Sequence, residues 1–221
     1  MALLLTNADG FRARVALTGG SAGGPEESVA GELLSRGGKL LFAPEPGGAG
    51  GKRARAEDFS FIWDASEGRG FMLNGPLQGY APIAAKTRFT NVVASAARNP
   101  SAPEKVGGHP CQQTEVKVWS SDGAATVLYV WRATDLKGVP LRITGATPGT
   151  PVALNFSKVR MESPPNDLFL PPDGFTKYAS AEAMMTELMG RQQNQKRKPG
   201  YEPPPSDEIG NRDVRAPTRS Q

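Results

Sequence analysis

The chain has few of the residues from which disulfides and metal sites are built. Its 221 residues include one cysteine, Cys111, and one histidine, His109. A single cysteine excludes an intrachain disulfide and a cysteine-rich zinc cluster, and a single histidine excludes a metal site with several histidines. The sequence also has no apolar run near the roughly 20 residues that a membrane-spanning helix needs. We therefore expect no metal, no cofactor and no transmembrane segment.

The net charge is small outside the C-terminal end. The formal net charge is +4, and residues 191–221 alone hold seven basic and four acidic side chains. The rest of the chain is close to neutral and lacks the basic face that nucleic-acid binding requires, which excludes nucleic acid as a partner. Lys196-Arg197-Lys198 is interpreted as part of a solvated tail, with contact to anionic lipid or peptidoglycan as the alternative.

Glycine and proline, with 26 and 20 residues, favour turns and strands over helices. Alternating and short apolar runs predict about ten strands in meander order. Because short turns join successive strands in antiparallel fashion, we expect a mainly β fold with a single curved antiparallel sheet. A short helix is predicted over residues 89–97. The predicted strands are 11–17, 29–35, 39–43, 58–63, 70–74, 80–83, 114–120, 126–132, 141–144 and 152–161.

One further helix is predicted near the C-terminus. Ser180 can cap it, apolar residues recur at helical spacing from Ala181 to Met189, and Gly190 is predicted to end it. Residues 191–221 are polar and contain Pro203-Pro204-Pro205, which predicts a disordered tail. The expected domains are therefore a β domain over 1–190 and a basic, proline-containing tail over 191–221.

The N-terminal segment does not decide the compartment. Met1 to Thr6 is apolar, but Asn7, Asp9 and Arg12 end the run well short of a signal-peptide core. Two explanations remain from the residues alone, a cytoplasmic protein or an exported protein whose leader has been removed.

Several motifs occur in an order typical of one protein family. They are Phe71-Met-Leu-Asn74 with Tyr80-Ala-Pro-Ile83, Gly108-His-Pro-Cys111 with Glu115-Val116, Trp131 with Leu136-Lys-Gly-Val-Pro-Leu141, and Leu168-Phe169 with Pro171-Pro-Asp-Gly-Phe175. Together they resemble the LolA/LolB-like group of bacterial envelope proteins, in particular its poorly characterised lipoprotein-associated branch, over roughly residues 11–178. The resemblance implies a half-barrel sheet covered by the C-terminal helix, a periplasmic or cell-envelope location with a trimmed signal peptide, and binding of lipoprotein acyl chains.

Catalytic and phosphate-binding interpretations are weak. Gly47 to Lys52 superficially resembles a phosphate loop, but Pro46 occupies the first glycine position and Arg53 replaces the serine or threonine. His109 and Cys111 could form a nucleophile pair, but a small buried thiol beside a turn histidine is the interpretation that we favour. The carboxylates of Asp64, Glu67, Asp122 and Asp135 fall in predicted turns, where they help the backbone to turn. We therefore expect no enzyme.

An apolar group of residues is the better functional candidate. The simple interpretation is a packed core under the helix; the functional one is a cleft that stays open for acyl chains or an apolar peptide. We expect a non-enzymatic envelope protein that binds lipid or lipoprotein acyl chains in a concave sheet. The alternative is an envelope scaffold or protein-interaction module with a filled core. The candidate ligand-binding residues are Trp63, Phe71, Leu73, Trp119, Trp131, Met184, Met185 and Met189.

Overall fold

Thirteen strands form one sheet in the computed structural model, which describes Leu5 and residues 10–19, 27–45, 59–84, 89–96, 104–120, 125–147 and 150–196. Each strand that the sequence predicts is present. The strands are β1 (Phe11–Gly19), β2 (Glu27–Arg36), β3 (Lys39–Pro44), β4 (Phe59–Asp64), β5 (Arg69–Asn74), β6 (Gly79–Ala84), β7 (Phe89–Ala96), β8 (Glu104–Val106), β9 (His109–Ser120), β10 (Ala125–Ala133), β11 (Pro140–Thr147), β12 (Thr150–Arg160) and β13 (Thr176–Lys177).

The sheet is open and consists of two meanders joined side by side. Its hydrogen-bonded order is β13-β6-β5-β4-β3-β2-β1-β12-β11-β10-β9-β7, with β8 paired to β9 off this path. The first strand therefore pairs with the last long strand, which joins the meander β1–β6 to the meander β9–β12. All pairs are antiparallel except the short parallel pair of β13 with β6. The predicted mainly β, antiparallel fold is confirmed.

The helix predicted over residues 89–97 is wrong, because Phe89–Ala96 is strand β7. It pairs antiparallel with β9, from Phe89 opposite Ser120 to Ala96 opposite Thr114. Thr90, Val92 and Val93 are β-branched and fit a pleated sheet better than a helix. The pairing with β9, distant in sequence, therefore decides the conformation.

The C-terminal helix α1 runs from Ala181 to Lys196 and does not end at Gly190. Ser180 caps it as predicted, since the Ala183 N–H donates a 3.2 Å hydrogen bond to Ser180 Oγ. Gly190 lacks the positive φ of a left-handed C-cap, and an interior glycine costs a helix only about 1 kcal/mol. Residues 191–196, expected in the tail, are thus helical; the rest of that tail lies outside the described residues.

The chain divides into two compact units, Met1–Met184 and Met185–Gln221, and the sheet belongs to the first. The predicted division into 1–190 and 191–221 stays a prediction. Among the described residues, no helix is both long and apolar enough to cross a membrane.

The two faces of the sheet differ in what they carry. Residues that pair directly across strands project to the same face. One face, the core face, carries Phe11, Ala13 and Val15 and extends through Phe156 to Val130. The core on it is filled: Phe11, Val116 and Val130 are completely inaccessible to solvent, and Leu5 is also buried there. The other face carries Arg12 and Arg14 and, farther along the sheet, a smaller apolar patch.

Candidate functional site

After β12, residues 161–178 cross the second face of the sheet, and we call this segment the strap. Its regular structure consists of a 3-10 helix, Asn166–Phe169, and the two-residue strand β13. Pro164-Pro165 and Pro171-Pro172 flank the 3-10 helix. Proline lacks the backbone N–H that helices and sheet ladders need, so these pairs keep the strap from extending either kind of element.

Two arginines fasten the beginning of the strap. The Nε atom of Arg12 on β1 lies 2.9 Å from Oε1 of Glu162. The Nη1 atom of Arg36, at the end of β2, donates a 2.6 Å hydrogen bond to the carbonyl oxygen of Pro164. The strap therefore starts from a fixed point beside β1 and β2.

The end of the strap is held along β6 by the backbone. The Thr176 N–H donates to the Gln78 carbonyl, and the Tyr178 N–H donates to the Tyr80 carbonyl, both at 2.8 Å. A Cβ atom on Gly79 would lie 2.6 Å from Cε2 of Tyr178, so glycine at this position admits the tyrosine ring. Both ends of the strap are thus attached to the sheet.

Phe169 pins the middle of the strap to the smaller apolar patch. Its side chain is 3% exposed and forms a cluster with Leu34, Ile62 and Leu73. Leu34 and Ile62 are aligned through Leu41 across β2, β3 and β4, so they share the strap face with it. Burial of the Phe169 side chain therefore holds the middle of the strap against the sheet.

A cavity of about 560 Å³ lies between the strap and the sheet. Leu41, Ile62 and Leu73 make its apolar floor on β3, β4 and β5. Leu168 and Leu170, on either side of Phe169, line it from the strap and remain 39% and 56% exposed. The full lining is Leu41, Ser60, Ile62, Leu73, Gly75, Asp167, Leu168, Leu170, Pro171, Pro172, Asp173 and Phe175.

The structure places the three candidate residues of β4 and β5, Trp63, Phe71 and Leu73, on different faces of the sheet. Leu73 lines the cavity, and Phe71 lies on the same face, with its ring edge-on to Tyr80 at 5.7 Å between centroids. Trp63 pairs with Leu40 and Gly70 and therefore projects to the opposite, core face. Of this group, the cavity lining contains Leu73.

The two other tryptophans lie in the other meander, away from the cavity lining. The Trp131 indole donates a 2.8 Å hydrogen bond to Glu104, and the Arg142 guanidinium lies 5.6 Å from its ring centroid. Trp119 is half-buried on β9, opposite Ala125 of β10. The ring of Trp131 therefore already has a polar partner and a cation beside it.

The three candidate methionines of α1 differ widely in exposure. Met184 is completely buried, Met185 is half-buried, and Met189 is 49% exposed. None of the three lines the cavity between strap and sheet. Their part in ligand binding stays a prediction.

His109 and Cys111 do not form a nucleophile pair. The Nδ1 atom of His109 lies 2.8 Å from Oδ2 of Asp135, while the Cys111 thiol donates a 3.5 Å hydrogen bond to the backbone carbonyl of His109. Burial raises the pKa of the Cys111 thiol, which disfavours the nucleophilic thiolate. Cys111 therefore acts as a small core residue.

Asp64 has the turn role predicted for it. Its Oδ1 atom accepts hydrogen bonds from the backbone N–H groups of Ser66 and Glu67 at 2.9 and 3.2 Å. Burial raises the pKa of Asp64, but these bonds and that of the Ser66 hydroxyl outweigh it, leaving the pKa below its ordinary value. The glycine-rich segment 47–52 and Asp122 lie outside the described residues. Within the described ranges, no group of three or more histidine, cysteine or acidic side chains could hold a metal ion.

Comparison with known proteins gives structural similarity alone. No family model and no curated protein matches the chain. The chain is similar to proteins of the LolA superfamily. One from Nitrosomonas europaea has a TM-score of 0.43 at 13% identity, covering 76% of this chain and 96% of its own. A putative outer membrane lipoprotein-sorting protein domain from Vibrio parahaemolyticus has a TM-score of 0.41 at 14% identity, covering 72% and 88%.

A third similar structure is the Pseudomonas aeruginosa MucA/MucB complex, with a TM-score of 0.40 at 13% identity. The match covers 77% of this chain and 59% of the solved one.

Sequence reasoning missed the strap as a part of the site. Leu168, Phe169 and Pro171-Pro172 belong to the family motifs, but no local sequence pattern predicts their position over the sheet. The signal available was the pair of Pro-Pro sequences on either side of Leu168-Phe169-Leu170, which indicates a short apolar segment that cannot extend into a long helix or a sheet strand.

Proposed function

We propose that this chain is a non-enzymatic binding protein of the cell envelope that holds an acyl chain or a similar apolar group between the strap and the sheet. The observation that carries this proposal is the cavity of about 560 Å³ over an apolar floor. Ligand sites in proteins commonly have volumes of roughly 300–1,000 Å³ and mostly apolar linings.

The exposure of the lining leucines supports the same proposal. Leu168 and Leu170 belong to the cavity wall and still contact solvent. An apolar ligand would remove part of this surface from water, at roughly 25 cal/mol per Å² of apolar area. A filled core offers no such gain, so the strap side is the better location for a ligand than the core face.

The envelope location and the acyl chain come from the sequence resemblance. Carriers of the LolA/LolB-like group hold the acyl chains of lipoproteins during transit through the periplasm. Leu168, Pro171 and Pro172, which belong to the motifs of that resemblance, line the cavity. Lipoprotein acyl chains are therefore the ligand class that we propose.

One observation favours a second candidate function, an envelope interaction module without a ligand. The main core is filled, with Phe11, Val116 and Val130 completely buried. A molecule of this kind would act through its surface, and the cavity under the strap would stay empty in its working state.

Ser60 offers a way to test the cavity without removing a core contact. It is half-buried on β4 and lines the cavity beside Leu73. Ser60→Phe should place a ring in the part of the cavity beside Leu73 and narrow it, while Ser60→Ala should leave it open. Binding is measured by titrating each protein with 1-N-phenylnaphthylamine, a neutral apolar fluorophore, and thermal unfolding confirms that each variant is folded.

We expect the wild type and Ser60→Ala to bind alike and Ser60→Phe to bind at least roughly tenfold more weakly, since the added ring occupies the apolar floor that the ligand would contact. Equal binding by a folded Ser60→Phe would place the fluorophore elsewhere on the protein. No binding by the wild type would favour the interaction module.

A further inference from the structure

The charged residues of the cavity lining have one sign. Asp167 lies in the 3-10 helix of the strap and Asp173 follows Pro171-Pro172. Within the part of the chain that the structure describes, the lining contains no lysine, arginine or histidine. A ligand in the cavity therefore meets carboxylates as its charged neighbours.

These carboxylates have no cationic partner among the described residues. Asp167 Oδ1 accepts a 3.0 Å hydrogen bond from the Leu168 N–H, a neutral donor. The cations that fasten the strap are engaged elsewhere, since Arg12 faces Glu162 and Arg36 donates to the Pro164 carbonyl. The carboxylates of Asp167 and Asp173 can therefore interact with a charged group of a ligand in the cavity.

The arrangement of the lining separates charge from apolar surface. The floor on β3, β4 and β5 is apolar, whereas both carboxylates belong to the strap, where residues contact solvent. A ligand with an apolar chain and a charged end can place the chain on Leu41, Ile62 and Leu73 and leave its charged end near the strap. An anionic end would be repelled there and a cationic end attracted.

We propose that the cavity selects amphiphiles whose headgroup is cationic, such as an acyl or alkyl chain that carries an ammonium group, over chains that end in a carboxylate. This proposal rests on the proposed function, because it assigns the charge of a ligand in the same cavity. Asp167 and Asp173 act as specificity-determining residues, and the apolar floor supplies the common part of the affinity.

Three amphiphiles of equal chain length test the proposal. Decylammonium, decanol and decanoate, each below its critical micelle concentration, compete with 1-N-phenylnaphthylamine for the wild-type protein at neutral pH and low salt. The same titrations are made with the double variant Asp167→Asn/Asp173→Asn. Glu67→Gln, which removes an exposed carboxylate from the β4–β5 turn outside the lining, is the matched control.

We expect decylammonium to compete at roughly five- to tenfold lower concentration than decanoate, with decanol between them. This is the size of effect that two solvent-exposed interactions, of the ammonium with Asp167 and with Asp173, can produce. The double variant should lose most of this difference while still binding decanol, and added salt should reduce the difference in the wild type by screening. Glu67→Gln should behave as the wild type does.

Equal competition by decylammonium and decanoate, or a preference that survives in the double variant, would overturn the charge selection while leaving the apolar site intact. Failure of decanol and of the fluorophore itself to bind would overturn the proposed function together with it. The neutral probes therefore distinguish the two failures.

Discussion

The guanidinium of Arg14 and the carboxylate of Glu45 form two parallel hydrogen bonds of 2.7 Å each. Arg14 lies on β1 and Glu45 directly follows β3, so the pair spans β2, which lies between them in the sheet. The Glu45 N–H also donates a 2.8 Å hydrogen bond to the Ala30 carbonyl of β2. A bidentate pair of this kind fixes the end of β3 across its neighbour.

The first prediction concerns acid stability. Hydrogen bonding to Arg14 holds the pKa of Glu45 below its ordinary value. A depressed folded-state pKa stabilises the protein above the unfolded value of about 4.3, and this stabilisation is lost as the pH falls through the folded-state pKa. Glu45→Gln should therefore unfold at lower urea concentration than the wild type at neutral pH, with the difference vanishing in acid.

Urea titrations over a pH series measure this effect. Glu32→Gln is the matched control, because Glu32 also faces an arginine on β1 but at 3.5 Å from Arg12 Nε. A difference between Glu45→Gln and the wild type that stays constant from neutral to acid pH would show that the charge of Glu45 is not the cause.

The second prediction uses two glycines of the β4–β6 meander. A Cβ atom on Gly70 would meet the Trp63 ring and lie 2.6 Å from the Ile62 carbonyl oxygen, whereas one on Gly75 would have nothing within 4 Å. Gly70→Ala should lower the free energy of unfolding by about 1–3 kcal/mol through overpacking. Gly75→Ala should change it by less than about 0.5 kcal/mol. Urea unfolding of both variants measures this difference. Equal unfolding midpoints for Gly70→Ala and Gly75→Ala would contradict the close contact between Gly70 and the Trp63 ring.

In the same meander, the sequence predicts which side chains of one strand share a face but not how two strands are aligned. Alternation within β4 places Phe61 and Trp63 on one face, because side chains two apart on a strand project to the same side. It could not align β4 with β5, since that register depends on the Asp64–Arg69 turn, in which Asp64 pairs with Arg69. That register sets Trp63 opposite Gly70 and places Phe71 and Leu73 on the other face.

The site depends on contacts that no local pattern contains. The strap has no period of two or of 3.6, and it is placed by distant partners, such as Arg36 for Pro164 and Gly79 for Tyr178. The strands and their antiparallel order can be predicted from the sequence, because they follow local alternation and short turns. The cavity cannot be predicted in this way, because the strap and the strands that form its floor are separated by about a hundred residues of chain.

The third prediction concerns the single thiol. Cys111 is 2% exposed, and burial raises its pKa. Both effects reduce the access and the thiolate fraction on which thiol reagents depend. Ellman's reagent at neutral pH should therefore react slowly with the native protein and rapidly once urea unfolds it. Rapid stoichiometric reaction of the native protein would contradict the buried position of Cys111.

The last prediction separates the structural role of the strap from its ligand-binding role. Phe169 is buried against Leu34, Ile62 and Leu73, whereas its neighbour Leu168 lines the cavity and is 39% exposed. Phe169→Ala should lower the free energy of unfolding by about 3 kcal/mol, because it removes a buried ring that the sheet cannot replace. Leu168→Ala should cost less than about 1 kcal/mol, since exposed positions tolerate truncation.

For Leu168→Ala, the expected effect is on binding. Titration with 1-N-phenylnaphthylamine should give an affinity several-fold lower than that of the wild type at nearly unchanged stability, because the ligand loses apolar wall contacts of roughly 25 cal/mol per Å². Met189→Ala, on the exposed side of α1 and outside the lining, is the matched control and should bind as the wild type does. If Leu168→Ala binds normally while Met189→Ala binds weakly, the ligand lies at the helix methionines and not under the strap.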